Sequence, residues 1–115
     1  MSKDNKDKQW VFNKDVEGNS PSTGVLRKVL AYCDSAMIVE HALEPGGEVS
    51  MHSHPHVQLT YMVEGRLKLT IGDETQELAK GDTAYIPSGV QHGGVCLEKG
   101  IALDFFNPMR EDFVK

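Results

Sequence analysis

The chain is poor in the residues that mark several classes of protein. It has only two cysteines, Cys33 and Cys96, which lie far apart and form no CxxC pair. This spacing indicates neither a redox motif nor a zinc ribbon. One disulfide is arithmetically possible, but two reduced thiols in a cytosolic protein is the interpretation we favour.

The chain also lacks long apolar runs and an excess of positive charge. No hydrophobic stretch approaches the length of a membrane span, and the N-terminal residues have no signal-peptide core. The formal net charge of −5 argues against a nucleic-acid partner, since such binding needs a basic face. We therefore expect a cytoplasmic protein without a membrane or nucleic-acid partner. A small anionic substrate stays possible, because a local arginine or metal overrides the overall charge.

What is present is a series of short strand-like runs. The 115 residues suffice for one domain, and no helical period lasts three turns. Many short strands separated by turn residues predict an all-β sandwich or small barrel, with its core in residues 24–108 and a flexible polar tail in residues 1–9. Glu64-Gly65 and Gly72-Asp73 are interpreted as tight hairpin turns. The predicted strands are 25–32, 36–43, 57–64, 66–71, 74–79, 83–86, 91–96 and 101–106.

Residues 57–63 alternate between two kinds of side chain. One face carries an apolar stripe that we expect to be buried, formed by Val57, Leu59, Tyr61 and Val63. The other face is mixed, as the lining of a ligand pocket often is, and carries Gln58, Thr60 and Met62. Shelter for both faces requires packed sheets and a subunit contact, so we expect a homodimer.

Three of the five histidines lie within five residues, at His52, His54 and His56. Imidazole is the commonest protein ligand for divalent transition metals. Histidines two residues apart on an extended chain point to the same face, so His52 and His54 can share a metal ion. His56 falls outside the ligand spacing and is interpreted as a residue of the pocket rim or one that supports a ligand, not as a ligand itself. The isolated His41 is interpreted as a strand-surface or satisfied core residue.

Two glycine-containing motifs surround these histidines. The first is Gly46, five residues, His52-x-His54, three residues, Gln58, six residues, Gly65. The second is Gly81, five residues, Pro87-x-Gly89-x-x-His92, with Cys96 in place of the usual closing asparagine. Together they resemble the two cupin motifs, with Gln58 where most cupins have glutamate. The resemblance implies a double-stranded β-helix, a small jelly-roll barrel, that binds one metal ion through His52, His54, Gln58 and His92.

The glutamine has a chemical consequence. Three neutral imidazoles and a neutral amide leave the full formal charge on the ion, whereas a glutamate would cancel part of it. The Gln58 version therefore favours Lewis-acid chemistry over the stabilisation of high-valent iron. The ligand set accepts nickel, zinc, iron or manganese.

A carboxylate in an apolar strand is the second informative feature. Asp104 alternates onto one face with Ala102 and Phe106, and burying it is costly unless it has a partner. Either this face lines the pocket, or Asp104 is structural and pairs with an arginine or lysine elsewhere.

The sequence from Asp104 through Phe106 and Pro108 to Arg110 resembles that of the small KdgF-like cupins of pectin degradation and uronate metabolism. The resemblance implies a catalytic pocket with Asp104 as acid and base, Arg110 on the substrate carboxylate and Phe106 as a wall. It implies an enzyme of the lyase or isomerase type. This enzyme would convert 4,5-unsaturated uronate monosaccharides from pectin or alginate to the linear keto form by ring opening and tautomerisation.

Two other functions stay open at this point. Many single cupins are metal-dependent dioxygenases, and others bind sugars or effectors without catalysis. The fold alone does not decide among these activities.

Overall fold

The structure is a computed structural model that describes residues 4–115. It contains eight strands and two short 3-10 helices, at Asn13–Asp15 and Glu111–Phe113. All strand pairings are antiparallel, and the all-β jelly-roll prediction is confirmed. The strands are β1 (Asn19–Ser22), β2 (Val25–Cys33), β3 (Ala36–Leu43), β4 (Glu48–His52), β5 (Val57–Ile71), β6 (Glu74–Ala79), β7 (Thr83–Ile86) and β8 (His92–Asn107).

Two long strands, β5 and β8, pair with each other and serve both halves of the barrel. The first half of β5 also pairs with β7, and the second half of β8 pairs with β3. The second half of β5 pairs with β6, and the first half of β8 pairs with β4. Each long strand therefore contributes side chains to both ends of the interior.

The two long strands bend where glycines bring their backbones together. A Cβ atom on Gly100 would lie 2.0 Å from the Glu64 carbonyl oxygen, and Gly65 has a φ of 85° that favours glycine. The predicted hairpin at Glu64-Gly65 is therefore wrong, because β5 runs through it as one strand. For the same reason, predicted strands 91–96 and 101–106 are one strand, β8. The Gly72-Asp73 hairpin is confirmed between β5 and β6.

The apolar stripe of β5, which was predicted to be buried, lies on the outer face of the strand. Gln58, Thr60 and Met62 are buried and face the barrel interior. Leu59 and Tyr61 are 50% and 42% exposed, so the stripe lies on the outer surface. An apolar stripe in the sequence does not by itself distinguish a face that lines the core from one that lies on the outer surface.

Part of the predicted flexible tail is attached to the barrel. Lys6 forms a β-bridge with Tyr32, and the Asp7 N–H donates to the Tyr32 carbonyl at 2.9 Å. Asn5 Nδ2 donates to the Val29 carbonyl at 3.0 Å. These contacts attach residues 5–7 of the predicted flexible tail to β2, and residues 1–3 lie outside the described part of the chain.

Three further features of the fold do not contribute residues to the predicted site. β1 precedes the predicted barrel core and adds an exposed edge strand beside β2. Cys33 and Cys96 are free thiols on different strands. Within residues 4–115, no helix is long and apolar enough to cross a membrane.

Candidate metal centre and pocket

Three predicted ligands, His52, His54 and His92, converge inside the barrel. Each offers one ligand atom, and these atoms lie within 4.8 Å of one another. His52 is the last residue of β4 and is the register partner of His92 at the start of β8. His54 lies just beyond β4, in the loop that leads to β5, so the two histidines do not share one strand as expected. The strand end and the loop together still bring both rings to one point.

Backbone carbonyls fix the orientation of all three rings. Nδ1 of His52 is 2.9 Å from the Ser50 carbonyl oxygen, and Nδ1 of His92 is 2.9 Å from that of Val90. Nδ1 of His54 is 3.1 Å from the His56 carbonyl oxygen. A neutral imidazole that donates its Nδ1–H keeps a lone pair on Nε2. Each ring is therefore prepared to use Nε2 as a ligand atom.

Burial keeps two of these rings neutral. It lowers the pKa of His54 to about 4, and the positive charge of Arg110 adds to the effect. Burial also lowers the pKa of His92. A neutral imidazole is the form that binds metal, so both rings are available as ligands near neutral pH.

The turn before β8 connects the two sequence motifs. The Gly89 N–H donates to the His54 carbonyl oxygen at 2.9 Å, and the Val90 N–H donates to that of Pro87 at 3.2 Å. The chain leaves this turn directly into His92. The glycine and proline of the second motif therefore place one ligand against the loop that carries another.

Gln58 faces the histidines with its amide oxygen. Its Nε2 donates to Asp104 Oδ1 at 3.0 Å and to Thr60 Oγ1 at 3.1 Å, which directs Oε1 toward His54. Oε1 lies 3.0 Å from His54 Nε2. When the neutral His54 ring carries its proton on Nδ1, both of these atoms present lone pairs to each other. Two acceptor atoms 3.0 Å apart repel each other unless a cation lies beside both of them.

The donor set fits a divalent transition metal. Among residues 4–115, no hydrogen-bond partner reaches the buried His92 Nε2, as expected for an atom whose natural partner is an ion. Three imidazole nitrogens with one amide oxygen suit borderline metals such as nickel, zinc, iron and manganese. We therefore assign His52, His54 and His92 as a possible metal site, with the Gln58 amide oxygen beside them.

Asp104 lies beside this centre and is only 6% exposed. It accepts hydrogen bonds from Thr60 Oγ1 at 2.6 Å and Gln58 Nε2 at 3.0 Å, and its Oδ2 is 2.7 Å from His41 Nδ1. Burial alone would raise its pKa, but the hydrogen bonds from His41, Thr60 and Gln58 outweigh it and lower the pKa. Asp104 is therefore a carboxylate, and its buried partner is a histidine instead of the arginine or lysine considered above.

His41 is a satisfied core histidine, one of the two roles expected for it, but sequence reasoning did not place it in the pocket. It is buried as a satisfied core histidine would be, yet it lines the pocket and contacts Asp104. Its Nε2 accepts a hydrogen bond from Arg27 Nε at 3.2 Å. The only relevant feature in the sequence was its alternation with Val39 on β3. This alternation predicts which face of the strand His41 lies on, but not which residue it contacts.

Arg110 and Phe106 complete the predicted set. Both are buried, and the Arg110 guanidinium carbon lies 5.1 Å from the centre of the Phe106 ring. Phe106 also packs edge-on against His54, with 5.6 Å between ring centres. Arg110 Nε and Nη2 donate to the two Asp112 oxygens at 3.0 and 2.8 Å. The guanidinium therefore already holds a carboxylate from its own chain.

His56 lies beside this arrangement, and its carbonyl oxygen contacts Nδ1 of His54. Its ring centre is 5.4 Å from that of His54 and 6.5 Å from that of Phe106. It does not belong to the group of convergent ligand atoms. All seven predicted site residues lie in or beside one pocket, and the additional residues that line it with them include Arg27, His41, Thr60 and Phe113.

Comparisons with known proteins agree with this geometry. The chain is similar to the crystal structure of an RmlC-like cupin from Shewanella frigidimarina, with a TM-score of 0.89, 34% identity, and coverage of 93% of this chain and 96% of that one. It is also similar to KdgF from Halomonas sp., with a TM-score of 0.86, 27% identity, and coverage of 91% and 97%. The third comparison is with oxalate decarboxylase OxdC of Bacillus subtilis, 34% identical over 67 residues, 54% of this chain and 17% of that protein.

The curated relatives match over shorter segments than the solved structures do. The chain spans half or less of the length of these relatives. The family model for the cupin domain matches residues 39–106, which include every predicted site residue except Arg110. The chain therefore belongs to the cupin family.

Proposed function

We propose that this cupin opens the ring of 4,5-unsaturated uronate monosaccharides and converts them to the linear keto form. The observation that carries the proposal is the position of Gln58. Its amide oxygen is 3.0 Å from His54 Nε2, and its amide nitrogen is 3.0 Å from the Asp104 carboxylate. The Gln58 side chain thus lies between the candidate metal centre and the candidate acid and base, and it contacts both. The similarity to KdgF over most of both chains supports the family resemblance on which this proposal rests.

Asp104 is suited to begin the reaction as a base. Its lowered pKa keeps it ionised, so it can accept the proton of the C1 hydroxyl group, and it also makes Asp104 a weaker base than a free carboxylate. A carboxylate offers about four lone-pair sites, and three are occupied by His41, Thr60 and Gln58, which leaves one for the substrate. The three hydrogen bonds also hold the carboxylate in one orientation.

The proposed reaction is an isomerisation and needs no co-reactant. As the C1 hydroxyl loses its proton, a C1 carbonyl forms and the bond from C1 to the ring oxygen breaks, with its electron pair passing to that oxygen. The resulting enolate takes a proton at C4 and becomes the C5 ketone. Asp104 can return the proton that it accepted, so the protein ends in its starting state.

Two other residues hold the sugar. Arg110 offers hydrogen bonds to the substrate carboxylate, which can use Nη1 or displace the half-exposed Asp112 side chain. Phe106 supplies an apolar wall between the histidines and Arg110. A divalent cation held by His52, His54, His92 and Gln58 would supply Lewis-acid stabilisation of the oxygen that acquires negative charge.

The activity is tested by the ultraviolet absorbance of the 4,5-double bond. Metal-loaded protein mixed with unsaturated monouronate should remove this absorbance faster than the spontaneous reaction does. A rate equal to the spontaneous rate would contradict the proposal. Oxygen consumption in the same assay would favour a dioxygenase instead, and binding without turnover would favour a non-catalytic sugar-binding cupin.

We also propose that the chain forms a homodimer through the outer face of β5 and β7. Leu59, Tyr61 and Tyr85 are 50%, 42% and 60% exposed there, and Leu59 is the register partner of Tyr85. A second copy that covers this stripe provides the shelter that its apolar side chains require. Light scattering should give a dimer at micromolar concentration and a monomer for Leu59→Glu. A monomeric wild-type chain would contradict this proposal.

A further inference from the structure

Arg27 is a half-buried cation with unused hydrogen-bonding groups in the pocket. It lies on β2 and lines the same pocket as Gln58 and Asp104. Its Nε donates to His41 Nε2. Within residues 4–115, its two terminal nitrogens make no hydrogen bond, and no carboxylate lies within ion-pair distance of it. The neighbours of this guanidinium are an imidazole and the face of an aromatic ring, which leave its terminal N–H groups available for an anion.

A second guanidinium lies close to it. The Arg27 guanidinium carbon is 3.8 Å from the centre of the Phe113 ring, and that of Arg110 is 4.1 Å from the same centre. The two like charges are therefore no more than about 8 Å apart, a distance at which they repel each other in a partly buried pocket. Burial and the charge of Arg110 both lower the pKa of Arg27. An anion between or beside the two groups would relieve this repulsion.

The two arginines differ in how many of their N–H groups already donate a hydrogen bond to a side chain. Asp112 takes Nε and Nη2 of Arg110, whereas the terminal nitrogens of Arg27 stay available. Both terminal N–H groups of a guanidinium can bind one carboxylate in a bidentate pair. The residue in this pocket with an open bidentate face is therefore Arg27.

We propose that Arg27 is a second anion-binding residue of the pocket and that its terminal nitrogens bind the carboxylate of the uronate together with Arg110. The identity of the sugar rests on the proposed function; the anion site itself does not. Arg27 also contacts His41, which contacts Asp104, so the same side chain connects substrate binding to the candidate base.

Arg66 shows what an arginine with a structural ion pair looks like in this chain. Its Nε is 3.1 Å from a Glu98 oxygen, and its Nη1 is 3.3 Å from a Glu77 oxygen. It lies outside the pocket and bridges β8 and β6. Arg66→Gln is therefore a matched control that removes the same charge from a satisfied site.

The experiment measures binding of a saturated sugar acid that cannot undergo the reaction. Galacturonate and its neutral counterpart galactose are titrated calorimetrically into metal-loaded wild-type protein, Arg27→Gln and Arg66→Gln. Arg27→Gln removes the charge but leaves an N–H group that can donate to His41. We expect it to weaken galacturonate binding about 10- to 100-fold, since a charge-assisted pair is lost, and to leave galactose binding unchanged. Arg66→Gln should change neither.

Several results would overturn the proposal. These are equal galacturonate binding by wild-type protein and Arg27→Gln, an equal loss of galacturonate and galactose binding, and no preference of the wild-type chain for the acid. If Arg27→Gln does not fold, Arg27→Lys serves instead, and the ratio of galacturonate to galactose affinity must fall. Arg27-dependent galacturonate binding without turnover of the unsaturated sugar would keep the anion site and reject the proposed enzyme.

Discussion

The two ends of the pocket are held in place by different parts of the chain. At the metal end, each histidine ring is fixed by a carbonyl two residues away, at Ser50, His56 and Val90. At the acid end, Asp104 is fixed by His41 from β3 and by two side chains from β5. The first end is organised locally and the second by contacts across strands. Residues joined by the local contacts are always two positions apart in the sequence, whereas residues joined across strands have no fixed separation.

The largest expected effect is the loss of a ligand at the metal end. His92→Ala should weaken metal binding by at least about 100-fold, because no neighbouring group can replace the buried Nε2. Metal content after dialysis measures the loss. His56→Ala is the matched control, since this ring lies outside the ligand group, and should keep its metal. Full metal occupancy in His92→Ala would remove this histidine from the site.

A change at Asp104 should affect both ends of the pocket. Asp104→Asn should lower kcat about 100- to 10,000-fold, the range that positioned acids and bases supply. It should also weaken metal binding about 10-fold, because the amide nitrogen of Gln58 loses its carboxylate acceptor. Separate measurements of turnover and of metal affinity distinguish these effects. Unchanged turnover would exclude Asp104 as the base, and unchanged metal affinity would show that Gln58 is oriented without it.

A smaller effect is expected at His41. His41→Gln should lower the free energy of unfolding by about 1–3 kcal/mol, because a buried hydrogen bond to Asp104 is weakened or lost. Urea denaturation measures this change. Glu40→Gln is the control on the same strand, since Glu40 points to the other face. Equal stability of the two variants would mean that the contact between His41 and Asp104 contributes little to folding.

The metal ligands could be predicted from the sequence because their spacing is local. The residues from Gly46 to Gly65 and from Gly81 to His92 form two short segments whose turns set the positions of the histidines. The strand bounds of β3, β6 and β7 were also predictable, because turn residues flank each of them. These features depend on neighbours in the chain.

The remaining features depend on which strands lie side by side. Arg27 and His41 belong to the pocket because β2 pairs with β3, and β3 pairs with β8, in one particular register. Gly65 was misjudged because a glycine with positive φ serves a hairpin turn and a strand bend equally well. The stripe at Leu59 and Tyr61 was placed inside because composition does not indicate which side of a sheet faces the core.

The bend of β8 has a consequence for the width of the pocket. His92 and Asp104 lie twelve residues apart on this one strand, which would separate them by about 40 Å if the strand were straight. Yet His54 and Gln58 connect them through short contacts. The curvature of one strand therefore sets the gap that a substrate must span. A Cβ atom at Gly100 would meet the β5 backbone at Glu64, so its replacement by alanine should push the two long strands apart midway between the two ends of the pocket.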